Sequence, residues 1–293
     1  MIFLILSILS STSIYVIFKF LYKFKINTFD VIIVNYITAT LLGIILTDIQ
    51  FKLNYICNSP WFPYSILIGI SFILMFVVIA KSSQHVGIVI TTVSNKMSVI
   101  FPIAFSILID PHDILSNLKI LGIILALISL FLTIYKKRKI DFDARNIYLP
   151  IILFLGMGLI DSLVKYAQFY YVDDSNLTLF TVILFAIAVF AGLIIKIIKK
   201  TSFNNLFNLK VILWGLLLGI SNYGSLYFII KALNYKNNFG NTFDGSIVFG
   251  INNIGIVTLS VLIGVIVFKE KLSKINLFGI FVSIIAIYIL SNT

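Results

Sequence analysis

The stretch from Val86 to Asp113 reads VGIVITTVSNKMSVIFPIAFSILIDPHD, and the rest of the chain is organised around it. Most of it is long and apolar enough to cross a bilayer, which takes ~20 residues in a helix. Its middle is nevertheless polar and includes Lys96. If a helix begins near Val86, Lys96 lies roughly 15 Å along it at ~1.5 Å per residue. Because a lysine near the bilayer centre costs about 2.5–3.5 kcal/mol to insert, we expect Lys96 to face other helices or a cavity rather than lipid.

The polar break occurs a second time, 157 residues further along, in the stretch FDGSIVFGINNIGIVTLSVLIGVIVFKE from Phe243 to Glu270. Both stretches have polar residues within an apolar helix, then an acidic residue, then a helix with small residues four positions apart. We interpret this repeated order as an internal duplication. The residues that correspond are Asn95 and Asn252, Lys96 and Asn253, and Asp113 and Glu270.

The composition excludes an ordinary soluble domain. Hydrophobic residues make up 60% of the chain and charged residues 11%, with a mean hydropathy of +1.10, whereas soluble domains have about 25% charged residues. The net charge of +11 does not predict a nucleic-acid partner, because the basic residues lie in short connections between apolar runs. No cofactor or metal is predicted: Cys57 is the only cysteine, His85 and His112 lie in loops, and no phosphate-binding G-x-x-x-x-G-K-[ST] motif occurs.

Apolar runs predict an all-α membrane protein with ten transmembrane helices. The first begins at Met1 without a basic segment or a cleavage signal, so we expect a retained span rather than a signal peptide. The basic connection 136–147 separates a first five-helix repeat, 1–135, from a second, 148–293. The ten helices are predicted at about 1–19, 31–48, 61–80, 86–109, 117–135, 148–171, 177–198, 208–232, 245–268 and 275–291.

The distribution of lysine and arginine predicts the orientation. Most of them follow the odd-numbered helices, which places loops 1–2, 5–6, 7–8 and 9–10 in the cytoplasm and both termini outside. Because five helices per repeat is an odd number, the two repeats must enter the membrane in opposite directions. This inverted repeat is the plan of many secondary transporters, whose sites lie near the midplane between the repeats. The alternate connections hold only Lys52, Lys119, Lys231 and Lys236.

Polar residues at membrane depth are the candidates for a substrate site. Each has a structural alternative: asparagines also join helices through hydrogen bonds, Lys96 also forms structural ion pairs, and Asp161 and Lys165 are spaced to pair within one helix. In the functional interpretation, Lys96 binds a substrate carboxylate, and Asp161 exchanges partners or protons during transport. The candidate substrate-binding residues are Lys96, Asn95, Asn252, Asn253, Asp161, Lys165, Asn222, Tyr223 and Asn35.

Two further patterns have a structural interpretation. Asp113 and Glu270 each stand between a long helix and a shorter one, and we expect them to shape tight turns at the membrane interface. Gly122 with Ala126, and Gly279 with Ser283, give faces of small residues that favour close helix packing, within the monomer or between subunits.

The chain resembles the drug/metabolite transporter superfamily, and within it the EamA-like ten-helix transporters. The elements that carry the resemblance are VSNKMSVIFP, GINNIGIV, the segment 268–272 (FKEKL) followed by Gly279, and the parallel pair Asp113 and Gly122. The resemblance implies a carrier of a small metabolite, amino-acid-like or an organic anion, in the bacterial cytoplasmic membrane. It also implies alternating access without ATP, exchange with a proton or a second solute, and a monomer or homodimer in the lipid bilayer. The alternatives are a membrane-embedded enzyme, which the short loops disfavour, and a non-transporting scaffold.

Overall fold

The computed structural model describes residues 2–46, 52–109, 116–135, 146–173, 176–233, 245–290 and 292. Within these ranges the chain is 88% helical and contains no strand, which confirms the predicted all-α class. Asp113, His112 and most of the connection 136–147, on which three of the predictions fall, lie outside the described residues.

Thirteen helical segments follow one another along the described chain. Among the described residues, eight spans are long and apolar enough to cross a membrane, and Ile251–Ile266 and Lys274–Leu290 are shorter apolar helices, so the chain is a multi-pass membrane protein. The segments are α1 (Ile2–Lys23), α2 (Thr28–Ile45), α3 (Leu53–Asn58), α4 (Phe62–His85), α5 (Ile88–Met97), α6 (Ile100–Ile109), α7 (Asn117–Ile134), α8 (Tyr148–Tyr171), α9 (Leu177–Ile198), a 3₁₀ helix (Phe203–Phe207), α10 (Leu209–Leu233), α11 (Gly245–Ile266) and α12 (Lys274–Leu290).

The span predicted as one helix at 86–109 is divided into α5 and α6. Pro102 has no backbone N–H, so it cannot donate to the carbonyl of Ser98 as a residue in a continuous helix would. That carbonyl instead accepts a bond from Phe101 N–H at 3.0 Å, three residues on. The Ser98 hydroxyl donates to the carbonyl of Asn95 at 2.5 Å and occupies another acceptor at the end of α5. The polar run therefore ends one helix at the depth of Lys96.

The helices of the two sequence halves pack mainly on each other. The helices α2 and α9 pack together, as do α5 and α11, and α7 and α12. The packing of α1 on α10 corresponds to that of α8 on α4. The packing of α2 on α10 corresponds in the same way to that of α9 on α4. Likewise, α1 packs on α11 while α8 packs on α5 and α6. Each of these neighbour relations between the halves is thus matched under exchange of the two predicted repeats.

The bundle has two ends that are recognised by their contacts. At one, Glu270 approaches the start of α5, and Gln84 at the end of α4 donates to the Phe18 carbonyl of α1 at 3.1 Å. We call this the Glu270 end. At the other, Trp61 is buried and packs edge-on against Phe180, with ring centroids 5.8 Å apart. We call this the Trp61 end.

The small-residue faces pack within the monomer, between α7 and α12. A Cβ at Gly279 would lie 2.7 Å from the backbone nitrogen of Thr133, and a Cβ at Gly122 would lie 2.6 Å from the side chain of Leu290. Nearby, the Asn276 amide donates to the carbonyls of Thr133 and Tyr135 at 2.8 and 3.0 Å, and so caps the end of α7. The predicted alternative of close packing within the monomer therefore holds for these residues.

Replacing Gly279 with alanine is expected to destabilise the protein by about 1–3 kcal/mol, because the new methyl group would meet backbone that cannot rotate away. The measurement is the thermal unfolding midpoint of the purified protein in detergent. Gly224→Ala is the matched control, since its Cβ would lie 3.1 Å from the mobile Ser10 hydroxyl. Equal midpoints for the two variants would contradict the close approach of α7 and α12.

Candidate functional site

A cavity of about 260 Å³ lies inside the bundle, enclosed by α1, α2, α4 and α5 of the first half and α8, α9 and α10 of the second. One part of its wall is polar and the other is aromatic and aliphatic. The apolar wall includes Tyr36, Phe72, Phe76 and Phe185. The polar wall is formed by Ser11, Tyr15, Asn95, Lys96, Asp161, Asn222 and Ser225.

Lys96 and Asp161 bring opposite charges to this cavity from different helices. Lys96 is on the last turn of α5 and Asp161 is in the middle of α8, and both are half-buried. They interact electrostatically, yet the described residues contain no ion pair within 4.0 Å that involves either of them. Both charges therefore remain available to a third group that enters between them.

This arrangement separates Asp161 from its possible partner on the same helix. Lys165 is half-buried, does not line the cavity, and forms no ion pair with Asp161 in the described structure. The charge that acts on Asp161 is that of Lys96. The described structure therefore does not have the pairing of Asp161 with Lys165 within one helix, and an exchange of partners or protons at Asp161 stays a prediction.

The end of α5 is held against α1 beside the cavity. The Asn95 amide donates to the Tyr15 hydroxyl at 2.6 Å, and both residues line the cavity. The sequence does not single out Tyr15, because an aromatic residue in an apolar helix resembles core. The N-terminal half of α5 is joined to α4 by a hydrogen bond of 2.7 Å between the Thr91 and Ser82 hydroxyls. It is joined to α11 by the Thr92 hydroxyl, which donates to the Ser260 hydroxyl at 3.1 Å.

Of the nine predicted substrate-binding residues, the structure brings Lys96, Asn95, Asp161 and Asn222 to one cavity. Asn35 is fully buried, and with its amide nitrogen toward α10 it donates to the Leu218 carbonyl at 3.2 Å. Tyr223 is also buried, and its ring stacks on Tyr227 with centroids 5.9 Å apart. Neither residue lines the cavity: Asn35 joins α2 to α10, and the contact between Tyr223 and Tyr227 lies within α10.

The two asparagines of α11 are not among the cavity-lining residues. Asn252 is buried and Asn253 half-buried, and the Asn252 side-chain oxygen has no hydrogen-bond partner within the described part of the chain. Their correspondence with Asn95 and Lys96 assumes that the two repeated stretches fold alike. Because α5 ends at Met97 while α11 continues from Gly245 to Ile266, the corresponding residues are presented differently. A role for these asparagines in binding stays a prediction.

Glu270 binds the start of α5 from the other half of the chain. Its two carboxylate oxygens accept the N–H groups of Ile88 at 2.7 Å and Val89 at 3.3 Å. Lys19 of α1 lies 3.5 Å from the same carboxylate. The backbone of Glu270 also donates to the Gly264 carbonyl at 2.9 Å, which closes a turn after α11 as the sequence suggested. The contact of its side chain with α5 was not predicted.

A second ion pair at the Glu270 end is not predicted by the sequence. Lys196 near the end of α9 donates to Asp30 in the first turn of α2 at 2.5 Å, and the two side chains are 1% and 0% exposed. The second carboxylate oxygen of Asp30 has no hydrogen-bond partner among the described residues. In the sequence Lys196 lies next to the basic residues that follow α9, so no local pattern indicates that it is buried against α2.

Comparison with known proteins gives one informative match. A protein of Haemophilus influenzae (strain Rd) is 31% identical over 297 residues, which cover 98% of this chain and 96% of the relative. The chain belongs to the same family as this protein. The relative is described only as an uncharacterized protein, so the membership carries no activity with it. No family model matches the chain. The match extends over essentially all the helices described above, so the family shares the whole chain rather than one segment.

Proposed function

We propose that this protein is a secondary transporter that moves a small metabolite across the membrane by alternating access, without ATP. The observation that carries the proposal is the internal cavity, in which Lys96 and Asp161 face a common space without pairing. Charges inside a membrane protein are costly, and they characteristically line substrate and ion pathways. A scaffold that only held helices together would gain from closing this pair directly.

The packing of the helices supports an EamA-like member of the drug/metabolite transporter superfamily. In that architecture, ten helices form two inverted five-helix repeats, here 1–135 and 148–293, around a central site. The matched contacts between the halves are those that such a two-fold relation requires. The cavity also draws its walls from both halves, as expected of a carrier whose halves rock about a fixed site.

The cavity chemistry favours an amphoteric, amino-acid-like solute. A carboxylate fits Lys96, an ammonium group fits Asp161, and an apolar portion fits the wall of Tyr36, Phe72 and Phe185. The volume of about 260 Å³ is just below the usual range of small-molecule sites, about 300–1,000 Å³, which favours a compact ligand. An organic anion is the second candidate, and for it Asp161 would have to be protonated so that the site does not repel the ligand.

The proposed location is the bacterial cytoplasmic membrane, with the Glu270 end inside. Lys23, Lys25, Lys199, Lys200 and Lys269 are all near the helix ends that meet there, and an excess of lysine marks cytoplasmic loops. Both termini are then outside the cell.

Solute counterflow in proteoliposomes tests the proposed function. Candidate amino acids and carboxylates are first screened by thermal shift on the purified protein, because a ligand that binds the folded state raises its unfolding temperature. Vesicles are then loaded with an unlabelled hit and diluted into the labelled compound. We expect saturable accumulation of label without ATP. Flux that rises linearly with concentration, or no exchange of any stabilising compound, would contradict a carrier.

Asp161→Asn is expected to abolish proton-driven accumulation while leaving exchange measurable. The amide keeps the size of the side chain but cannot carry a proton through the cycle. A pH gradient of one unit supports about tenfold accumulation for one coupled proton, and this ratio should fall to about one in the variant. Uptake under an imposed gradient and counterflow are measured on the same vesicles. A variant that still concentrates the solute against its gradient would refute proton coupling at Asp161.

A further inference from the structure

The half-helix α5 carries two cavity residues, Asn95 and Lys96, and it is only ten residues long. Isolated helices of this length are marginal, so their position depends on tertiary contacts. Its own N-cap residue, Gly87, offers no side chain to the free N–H groups of the first turn. Those groups are bound instead by Glu270, a residue more than 180 positions away in the sequence.

We propose that Glu270 is a positioning residue that holds α5 at the depth at which Lys96 faces the cavity. The importance of Lys96 for transport rests on the proposed function, whereas the positioning of Lys96 by Glu270 does not. The carboxylate suits this task because it accepts both N–H groups and also complements the positive end of the helix dipole. Lys96 lies about 12 Å along the helix axis from Ile88, so a shift of the helix start is carried to the cavity.

Helix α1 supplies the second support. Lys19 approaches the Glu270 carboxylate, and Tyr15, one turn earlier on the same face of α1, accepts a bond from Asn95. Both the start of α5 and its last turn are therefore held in place against α1. At the start, the connection runs through Glu270, which contacts Lys19 of α1 and the backbone of α5 together.

Two glycines leave room for the carboxylate of Glu270. A Cβ at Gly87 would lie 2.8 Å from a carboxylate oxygen, and a Cβ at Gly264 would lie 3.0 Å from the same oxygen. Gly87 also has a φ of +116°, which residues with a side chain rarely adopt. The carboxylate is 6% exposed, so it is enclosed by these contacts rather than extended into solvent. The space beside the start of α5 therefore fits the acidic side chain of Glu270, which extends into it from the turn between α11 and α12.

The test measures the charge in the cavity rather than transport. In the full-length protein in nanodiscs, Cys57→Ser removes the native thiol and Ser11→Cys places a new one on the cavity wall. The reaction rates of an anionic and a cationic methanethiosulfonate reagent are compared, because nearby positive charge favours the anionic one. Adding Lys96→Met to this background defines the rate ratio without the lysine.

We expect Glu270→Gln to lower the anion-to-cation rate ratio about tenfold, toward the Lys96→Met value. The direct electrostatic effect of deleting a carboxylate has the opposite sign, since it would raise the ratio. Glu270→Asp, which keeps the charge on a shorter side chain, should restore part of the ratio. Lys269→Gln, a change at the exposed neighbouring residue, should leave it unaltered.

A ratio that is unchanged or raised in Glu270→Gln, with a lowered unfolding temperature, would overturn the proposal and make Glu270 a purely stabilising contact. If this variant does not fold, Glu270→Asp answers the same question. It keeps the charge but draws the carboxylate away from the N–H groups of α5, so a smaller fall from the wild-type ratio is expected and an unchanged ratio counts against the proposal. A lowered ratio in a protein that transports no tested solute would uphold the positioning role and reject the proposed function.

Discussion

Replacing Lys96 with methionine is expected to weaken substrate binding about 10- to 100-fold and to suppress transport accordingly, while leaving the protein at least as stable as before. The ammonium group is the positively charged group on the cavity wall, and a hydrogen bond to a charged partner contributes about 1.5–3 kcal/mol. Its loss weakens binding by about 10- to 100-fold. It also leaves Asp161 without the charge that faces it, so a substrate carboxylate would meet only negative charge.

The stability of the protein should stay the same or rise, because a lysine at membrane depth opposes insertion and a methionine of similar length does not. Counterflow in proteoliposomes and the thermal midpoint are measured on the same preparation. Lys81→Met, at an exposed position near the end of α4, is the control for loss of one lysine. Undiminished counterflow in Lys96→Met would reject the role of Lys96, and a large loss of stability would show that its role is structural.

Lys196→Met is expected to destabilise the protein more than Gly279→Ala does. Lys196 and Asp30 form a fully buried pair, and removing one partner of such a pair costs about 3–5 kcal/mol, because the other charge is left uncompensated. One oxygen of Asp30 already lacks a hydrogen-bond partner in the described structure, so local groups offer little compensation. The unfolding midpoint in detergent should fall accordingly.

The double variant Asp30→Asn with Lys196→Met separates pairing from packing. Once both charges are gone, no uncompensated charge remains, and we expect most of the lost stability to return. Lys210→Met, at an exposed position, serves as the control for the substitution itself. A double variant as unstable as Lys196→Met would mean that the packing of the lysine side chain, rather than its charge, holds α2 against α9.

The sequence was informative where the physical signal is local. Long apolar runs predicted the helices, and the polar run before Pro102 lies where α5 and α6 are divided, although the apolar length predicted a single helix there. The cost of a charge in a membrane predicted that Lys96 and Asp161 face the interior, and the structure brings both to the cavity. Each of these inferences needs only the neighbouring residues and the length of the segment.

Contacts between distant segments could not be predicted in the same way. Nothing near Asp30 indicates that its partner is Lys196, and Glu270 gives no local sign that its side chain reaches α5. The same limit applies to α11, where the sequence correspondence aligns Asn253 with Lys96. That correspondence describes the order of residues along the chain, whereas the depth and direction of a side chain depend on where its helix ends.

The two ends of the bundle differ in the kind of contact that holds them. At the Trp61 end the described residues meet through aromatic rings, such as Trp61 on Phe180 and Tyr64 on Tyr171, which keep most of their attraction when they slide. At the Glu270 end, aromatic contacts such as Phe20 with Phe268 are accompanied by the ion pairs of Glu270 and Asp30, and paired charges are costly to separate partway. In the proposed transport cycle, the contacts at the Trp61 end would loosen by small steps. The ion pairs at the Glu270 end would be either formed or broken, and would set the threshold that a bound solute has to overcome.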